Sequence, residues 1–395
     1  MTGAVEQADP ATVPWRSPAL HVVLGTSLMA SMGVGLVSPG LPAIKNALAV
    51  SDAQAGLVLT VFSLPGIVLA PVMGVLADRF GRRVVLVPCL VGYGLAGGAI
   101  TVTGSFAVLV GLRFLQGCAA SGLIMLSLTL VGDYFDGPRR NAVMGVNTAT
   151  TTLGVSVFPI LGGYLADVRW NLPFVVYTAS VLVGAFAFLT LEESLTVRGR
   201  LDMAYLRDGV AAVSSFAGLT LYGAVFVTFL VYFGALNTSV PFLLDQSYAL
   251  ASLWIGVILS LPLLTSSVVA LLNGRLARYA SNRQLIGLGI VGYGLGLAGT
   301  WLAGSPAGVT ATLLLLGAGH GLLIPPVDTE ISGLASDQLR GGVTSLRISV
   351  KKVGQTVGPV VFPMAAVLLG YPLLLLLTGL AALLVGAVSV ALASR

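Results

Sequence analysis

The chain has 395 residues, of which 56% are hydrophobic and only 9% are charged, against about 25% charged in a typical soluble domain. So few charges cannot cover the surface of a soluble protein of this size, which excludes an ordinary cytosolic enzyme and a disordered chain. The net charge of +5 does not indicate a nucleic-acid binder, because the basic residues are scattered singly and form no patch.

The apolar runs are continuous rather than alternating, so the class is an all-α membrane protein and not a β-barrel. A helix needs about 20 apolar residues to cross a bilayer. Twelve such runs are predicted, at 19–42, 52–76, 83–103, 105–132, 140–166, 171–191, 211–244, 250–277, 284–304, 307–333, 341–369 and 371–393. The polar tail 1–18 lacks the apolar core of a secretory signal peptide. The longest polar interval, 192–210, divides the chain into a first six-helix bundle (19–191) and a second (211–395). With the N-terminus inside, the inner loops and tails hold fourteen arginines, among them Arg82, Arg140, Arg198, Arg200, Arg207, Arg340 and Arg395. The outer loops hold only Lys45 and Arg169, so the basic pI is largely a topology signal with both termini cytoplasmic. Cys89 and Cys118 fall inside spans and read as packing residues.

The halves repeat each other at an offset of 200 residues. Val91-Gly-Tyr-Gly-Leu95 faces Val291-Gly-Tyr-Gly-Leu295, Gly117 faces Gly317, Arg140 faces Arg340, and Gly154 and Pro159 face Gly354 and Pro359. Two parallel repeats imply a pseudo-two-fold axis along the membrane normal, with substrate bound near the midplane between them.

Along the chain, span one ends in Pro39-Gly40-Leu41-Pro42. The loop after span two reads Gly74-Val-Leu-Ala-Asp78-Arg79-Phe-Gly81-Arg82-Arg83, a tight turn ringed by cations. Gly74 permits close helix approach and Gly81 a sharp turn. Asp78 is expected against the N-terminus of the eleventh helix near Gly341, where the helix dipole favours an anion. Span four carries Arg113-Phe-Leu-Gln116-Gly117 and ends near Asp133. An Arg that deep costs about 2.5–3.5 kcal/mol to insert, so it needs a polar partner or a water-filled cavity unless it snorkels to an interface. Span five reads Gly154-Val-Ser-Val-Phe158-Pro159-Ile-Leu-Gly162-Gly163, and Gly354, Gly358 and Pro359 stand in span eleven. These residues predict a bend and a close seam between helices.

The loop after span two resembles the signature loop of the major facilitator superfamily, G-x-L-x-D-R-x-G-R-R, at every position. Gly274-Arg-Leu-Ala-Arg278-Tyr-Ala-Ser-Asn-Arg283 after span eight is similar to its degraded second copy. The resemblance implies the twelve-helix, two-bundle fold and a cytoplasmic latch built from Gly74, Asp78, Arg79, Gly81, Arg82 and Arg83, with Asp133 as charge partner. Arg113, Gln116 and Gly117 resemble the R-x-x-Q-G motif of proton-coupled efflux members, where the Arg is implicated in proton transfer. The span-one and span-five motifs resemble those of the twelve-span drug:proton antiporters, although Phe158 stands where their span-five motif has Gly.

Acids inside the membrane are the usual proton carriers. Span ten reads Gly319-His320-Gly-Leu-Leu-Ile-Pro325-Pro326-Val-Asp328-Thr-Glu330. Its two prolines are expected to interrupt the helix and free carbonyls beside Asp328 and Glu330. His320 lies about 12 Å further outward, as a proton or substrate contact or as a packed histidine. Glu330 is either a second carrier or an anchor at the inner interface. In span eleven Arg347 and Lys351 are four apart and share a face. They lie about 9 and 15 Å from the inner start, so Arg347 is placed to pair with Asp328. Lys351 and Lys352 in mid-membrane suggest titratable or anion-contacting groups, or structural partners of the span-ten acids.

The reading is a monomeric secondary transporter in the cell membrane that exports small organic molecules against protons by alternating access. Asp328, Glu330, Arg113 and His320 are the coupling candidates, and Lys351, Lys352, Arg347 and Gln116 the substrate contacts. The four interior cations outnumber the two acids, which points to a neutral, zwitterionic or anionic substrate. No cofactor or metal is expected, and no P-loop, H-E-x-x-H or G-x-S-x-G motif is present. The alternatives are proton-coupled uptake of an organic or inorganic anion, and a membrane sensor that does not transport.

Overall fold

The computed structural model describes residues 12–193, 216–334 and 340–393. The tail before Thr12, the central loop with Arg198, Arg200, Asp202, Arg207 and Asp208, and Arg395 lie outside the described residues. The described chain is helical throughout. Its membrane-length helices are α1 (Pro18–Leu48), α2 (Asp52–Phe80), α3 (Arg82–Val102), α4 (Phe106–Tyr134), α5 (Gly137–Val168), α6 (Leu172–Thr190), α7 (Gly218–Tyr248), α8 (Ser252–Leu276), α9 (Asn282–Leu302) and α10 (Pro306–Gly333). The last, α11 (Arg340–Ala393), covers both final predicted runs and departs from helical geometry only at Gly370, with φ 72° and ψ 155°. That left-handed φ is open to Gly at no steric cost.

Local chemistry sets the boundaries. Capping boxes Ser51–Gln54 and Ser281–Gln284 start α2 and α9 by satisfying free N–H groups in both directions. α1 and α7 end on left-handed alanines, Ala49 (φ 52°) and Ala249 (φ 50°). Near those ends both helices change pitch. Ser38–Gly40 in α1 tightens to a 3₁₀ turn, and Tyr232–Ser239 in α7 widens to a π-helix. The two irregular segments meet, with Ser38 Oγ donating to the Asn237 carbonyl at 2.5 Å.

The predicted interruption of span ten does not occur: α10 runs through Pro325 and Pro326 without a break. Each proline withholds an N–H from the carbonyl four residues earlier. Those carbonyls belong to Gly321 and Leu322, and the Asn273 side-chain amide in α8 donates to both, at 2.8 and 3.5 Å. A donor from a neighbouring helix thus replaces the missing backbone bonds. α5 is likewise unbroken at Pro159.

Helices α1–α6 pack on one another, as do α7–α11, and the two sets meet where α5 lies against α8 and α2 against α11. Gly256 of α8 sits on the Pro159 carbonyl, and Gly56 of α2 on the Pro359 carbonyl, so close that a Cβ on either glycine would overlap that oxygen. Gly163 meets the Ser252 carbonyl in the same way, while Gly162 meets Leu36 inside the first set. Gly354 and Gly358 pack on α7 within the second set. The molecule therefore has an Asp52 end, where these seams lie, and an Arg82 end opposite.

Candidate functional site

Asp328 of α10 forms an ion pair with Arg347 of α11. One turn along α11, the Lys351 ammonium lies 4.6 Å from the centre of the Phe229 ring. Two turns from Asp328 along α10, His320 shares a short hydrogen bond with the Tyr293 hydroxyl. Its ring lies tilted by 31° against Tyr232, centroids 4.5 Å apart, and stands edge-on to Phe229. The structure therefore brings Asp328, Arg347, Lys351 and His320 onto one side of the second helix set. Lys352 turns the other way, its aliphatic carbons resting on Gly66 of α2. Consecutive helical residues are about 100° apart, so neighbouring lysines face different helix sets. Nearby, Ser349 Oγ donates to the Ile67 carbonyl at 3.2 Å. Glu330 does not join the cluster: its carboxylate accepts from Asn282 Nδ2 at 2.9 Å, at the start of α9.

Arg113 lies apart from this cluster, 0% exposed within the first helix set. Its guanidinium donates to the Val58 carbonyl at 3.1 Å, the Gly33 carbonyl at 2.9 Å and Gln116 Oε1 at 2.7 Å, and it covers the Phe62 ring at 4.2 Å. The charge is solvated by carbonyl dipoles and ring faces. Gln116 is also fully buried, its amide donating to the Tyr93 carbonyl at 3.4 Å. The structure therefore places it as the partner of Arg113, away from Lys351 and Lys352.

At the Arg82 end, the Arg82 guanidinium bridges Asp78 (2.8 Å) and Asp133 (2.9 Å) and donates to the Ala77 carbonyl at 3.0 Å. Its backbone N–H donates to Glu193 at 2.7 Å. Glu193 thus places a carboxylate at the α3 N-terminus, where the helix dipole attracts an anion. Gly81 precedes that helix at φ 112°, a backbone conformation that side chains rarely adopt, with the Glu193 carboxylate beside it. Arg83 reaches the Phe188 carbonyl at 2.5 Å, and Arg79 lies along the Phe80 ring. Gly74 packs against Met125. Every partner named here belongs to the first helix set, Asp78 included.

Sequence reasoning missed the polar ties at the Asp52 end. The Asp52 carboxylate pairs with Lys45 at 2.6 Å and accepts from Gln246 at 2.9 Å and the Tyr371 hydroxyl at 2.8 Å, linking α1 and α2 to α7 and α11. The Asp167 carboxylate accepts from the backbone N–H groups of Ser252 and Leu253 at 2.7 and 3.0 Å, which caps α8 from α5. The available signal was an acid beside a span end facing a helix start, but the pairing crosses 85 residues. Among the described residues no cluster of metal-ligating side chains is present, and both cysteines are free.

The sequence profile of the Major Facilitator Superfamily matches residues 23–254 and again 221–395. The chain is 28% identical to the bacillibactin exporter of Bacillus subtilis (strain 168) over 358 residues, 85% of this chain and 86% of that protein. It is 26% identical to the class B tetracycline resistance protein of Escherichia coli over 357 residues, 86% of each. Its fold matches the crystal structure of a bacterial homologue of the human lysosomal transporter Spinster, solved inward-facing and unoccupied. That match has a TM-score of 0.80 and 18% identity, covering 97% of this chain and 98% of that one. Membrane-length helices along the chain, the complete signature loop and the profile match across residues 23–254 and 221–395 place the protein in the major facilitator superfamily of membrane transporters.

Proposed function

We propose that the protein is a proton-coupled exporter of small organic molecules, working as a monomer in the cell membrane by alternating access. Counting the limbs of α11 on either side of Gly370 separately gives twelve crossings in two six-helix bundles. The repeat supports this reading, because Gly56 on Pro359 and Gly256 on Pro159 are the same contact shifted by 200 residues and exchanged between halves. Ala49 and Ala249 carry the same shift in backbone conformation. The arginine bias makes the Arg82 end cytoplasmic and the Asp52 end external. The seams at the Asp52 end then close the outside, in keeping with the inward-facing state of the Spinster homologue. The names of the bacillibactin exporter and the tetracycline resistance protein support outward transport of organic molecules.

The observation that carries proton coupling is the Asp328–Arg347 pair, an acid held in an apolar helix beside a cation on its neighbour. A proton on Asp328 cancels the carboxylate charge and releases Arg347, so the protonated and deprotonated forms favour different arrangements of α10 and α11. Lys351 and Lys352, facing different helix sets, meet substrate from both sides of the central axis. Arg113 and Gln116 hold the first bundle together and respond to the proton through its charge field. His320 and Glu330 act on the substrate side and at the inner rim. The Arg82 loop forms its cross-bundle latch in the outward-open state. The membrane potential contributes about 2.3 kcal/mol per charge per 100 mV.

Proteoliposomes with an imposed pH gradient test the proposal, with tetracycline as the probe. Wild type should move tetracycline against the proton flow, and Asp328→Asn should lower the gradient-driven rate at least tenfold while substrate exchange without a gradient persists. Gradient-driven transport that survives Asp328→Asn excludes it as the coupling acid. Two cations, Arg347 and Lys351, stand by one carboxylate, with Lys352 on another face of the same helix, and this excess favours a second reading, proton-coupled uptake of an anion. Accumulation of an organic anion in the direction of proton flow would establish it instead.

A further inference from the structure

The turn between α8 and α9 (277–281) belongs to the second copy of the Arg82 loop, and none of the roles above uses it. Because α8 starts at the Asp167 cap, this turn lies at the Arg82 end of the molecule. In the first copy the arginines are neutralised from within the chain. Arg82 pairs with Asp78 and Asp133, and Glu193 meets its backbone N–H. Two hundred residues on, these three acids are replaced by Arg278, Gly333 and Ala393. Arg83 is matched by Arg283, and Arg275 stands where the first copy has Val75. The second copy thus keeps its cations and has none of the three acids.

The result is a patch of charge that the chain does not balance. Arg275, Arg278 and Arg283 are all exposed, and their guanidinium groups have no hydrogen-bond or ion-pair partner among the described residues. Glu330 accepts from Asn282 instead.

The patch ends an apolar surface. α8 turns one face to α10, where Gly321 lies against Ser266 and Val269 and its carbonyl accepts from Asn273. Leu264, Val268, Leu271 and Arg275 recur at intervals of four, three and four residues and form one stripe. Each stands two residues from one that faces α10, about 200° around the helix. The stripe is also about 80° from Gly256, the contact with α5. Leu271 is 83% exposed and Val268 58%, so this face of α8 lies against acyl chains. The 25 residues of α8 span about 37 Å, more than the roughly 30 Å of hydrocarbon, which puts Arg275 in the headgroup layer. Tyr279, exposed in the turn, is of the aromatic type enriched at that level.

We propose that this turn holds the phosphate of an anionic phospholipid whose acyl chains lie along the stripe from Leu264 to Leu271. Guanidinium groups bind phosphate oxygens through paired, charge-assisted hydrogen bonds. The headgroup then takes the place of the acids that the first copy draws from its own chain. A zwitterionic headgroup fits less well, because its own cation meets the same three arginines. A soluble polyanion would satisfy the arginines and leave the apolar stripe unused. The proposal rests on membership of the membrane family and not on the export reading.

Native mass spectrometry of the purified full chain in mixed micelles tests this with phosphatidylglycerol and phosphatidylcholine of identical acyl chains. The first phosphatidylglycerol should bind at least fivefold more tightly than the first phosphatidylcholine. Arg275→Gln, Arg278→Gln and Arg283→Gln together should bring that preference below twofold. These substitutions break no bond within the described residues, so the melting temperature should stay at the wild-type value. A control of equal charge, Arg16→Gln with Arg140→Gln and Arg200→Gln, should keep the preference. No preference in wild type, a preference that survives the first variant, or an equal loss in the control would overturn the proposal. Displacement by a hundredfold excess of glycerophosphoglycerol, the same headgroup without chains, would show a soluble-phosphate site and overturn it as well.

Discussion

Arg113 keeps a charge inside an apolar bundle with no acid among its partners in the described residues. Its fork of donors divides between two backbone carbonyls and Gln116, a geometry that the single ammonium of lysine cannot reproduce. Arg113→Lys should therefore strip partners from buried acceptors and lower stability by about 3 kcal/mol, read as a fall in melting temperature of the purified protein. Asn273 serves α10 in a comparable way. Asn273→Ala leaves the Gly321 and Leu322 carbonyls unpaired and should cost about 1–3 kcal/mol, with faster amide exchange along α10. The depth of Arg113 was readable from its place in span four. Its partners were not, because carbonyls carry no side-chain signature. The prolines of span ten were misread for the same reason. Their effect depends on what a neighbouring helix supplies, and Asn273 lies 48 residues from the first carbonyl it serves.

For the helices, hydropathy marked the spans and their order almost throughout, because a bilayer imposes length and apolarity together. Pitch changes left no such mark. The π-segment of α7 depends on side chains that bond back across five residues, as Thr238 does to the Phe233 carbonyl at 2.8 Å and Ser239 to the Gly234 carbonyl at 2.9 Å. The left-handed alanines are also invisible to hydropathy. Ala249→Val places a branched side chain in a backbone region that disfavours it and should destabilise the protein by about 1–2 kcal/mol, whereas Ala249→Gly should be neutral or slightly stabilising. Thermal unfolding of the two variants side by side checks the sign of the difference.

For the whole molecule, the glycines of spans two, five and eight decide how near the bundles can come. Gly256→Leu should push α8 off α5 and open the Asp52 end. Spin labels on Asn46→Cys and Ser247→Cys, with Cys89 and Cys118 replaced by serine, should then report a longer distance than in the parent. An unchanged distance would show that the polar ties at Asp52 and Asp167 hold the closed state without the glycine contact.

The form of those seams carries a mechanical consequence. At Gly56 and Gly256 a bare Cα rests on a peptide oxygen of the facing helix, so no side chain interlocks across the point of closest approach. Two toothed surfaces must unmesh before they turn, but two smooth ones can roll. If the halves turn on each other as proposed, no rotamer at these two contacts has to change. The barrier to turning then comes from the polar ties around the pivots: Ser38 to Asn237, Thr60 to Thr356 and Asp167 to the start of α8. In the proposed alternating access the glycines would act as bearings and the polar ties as catches.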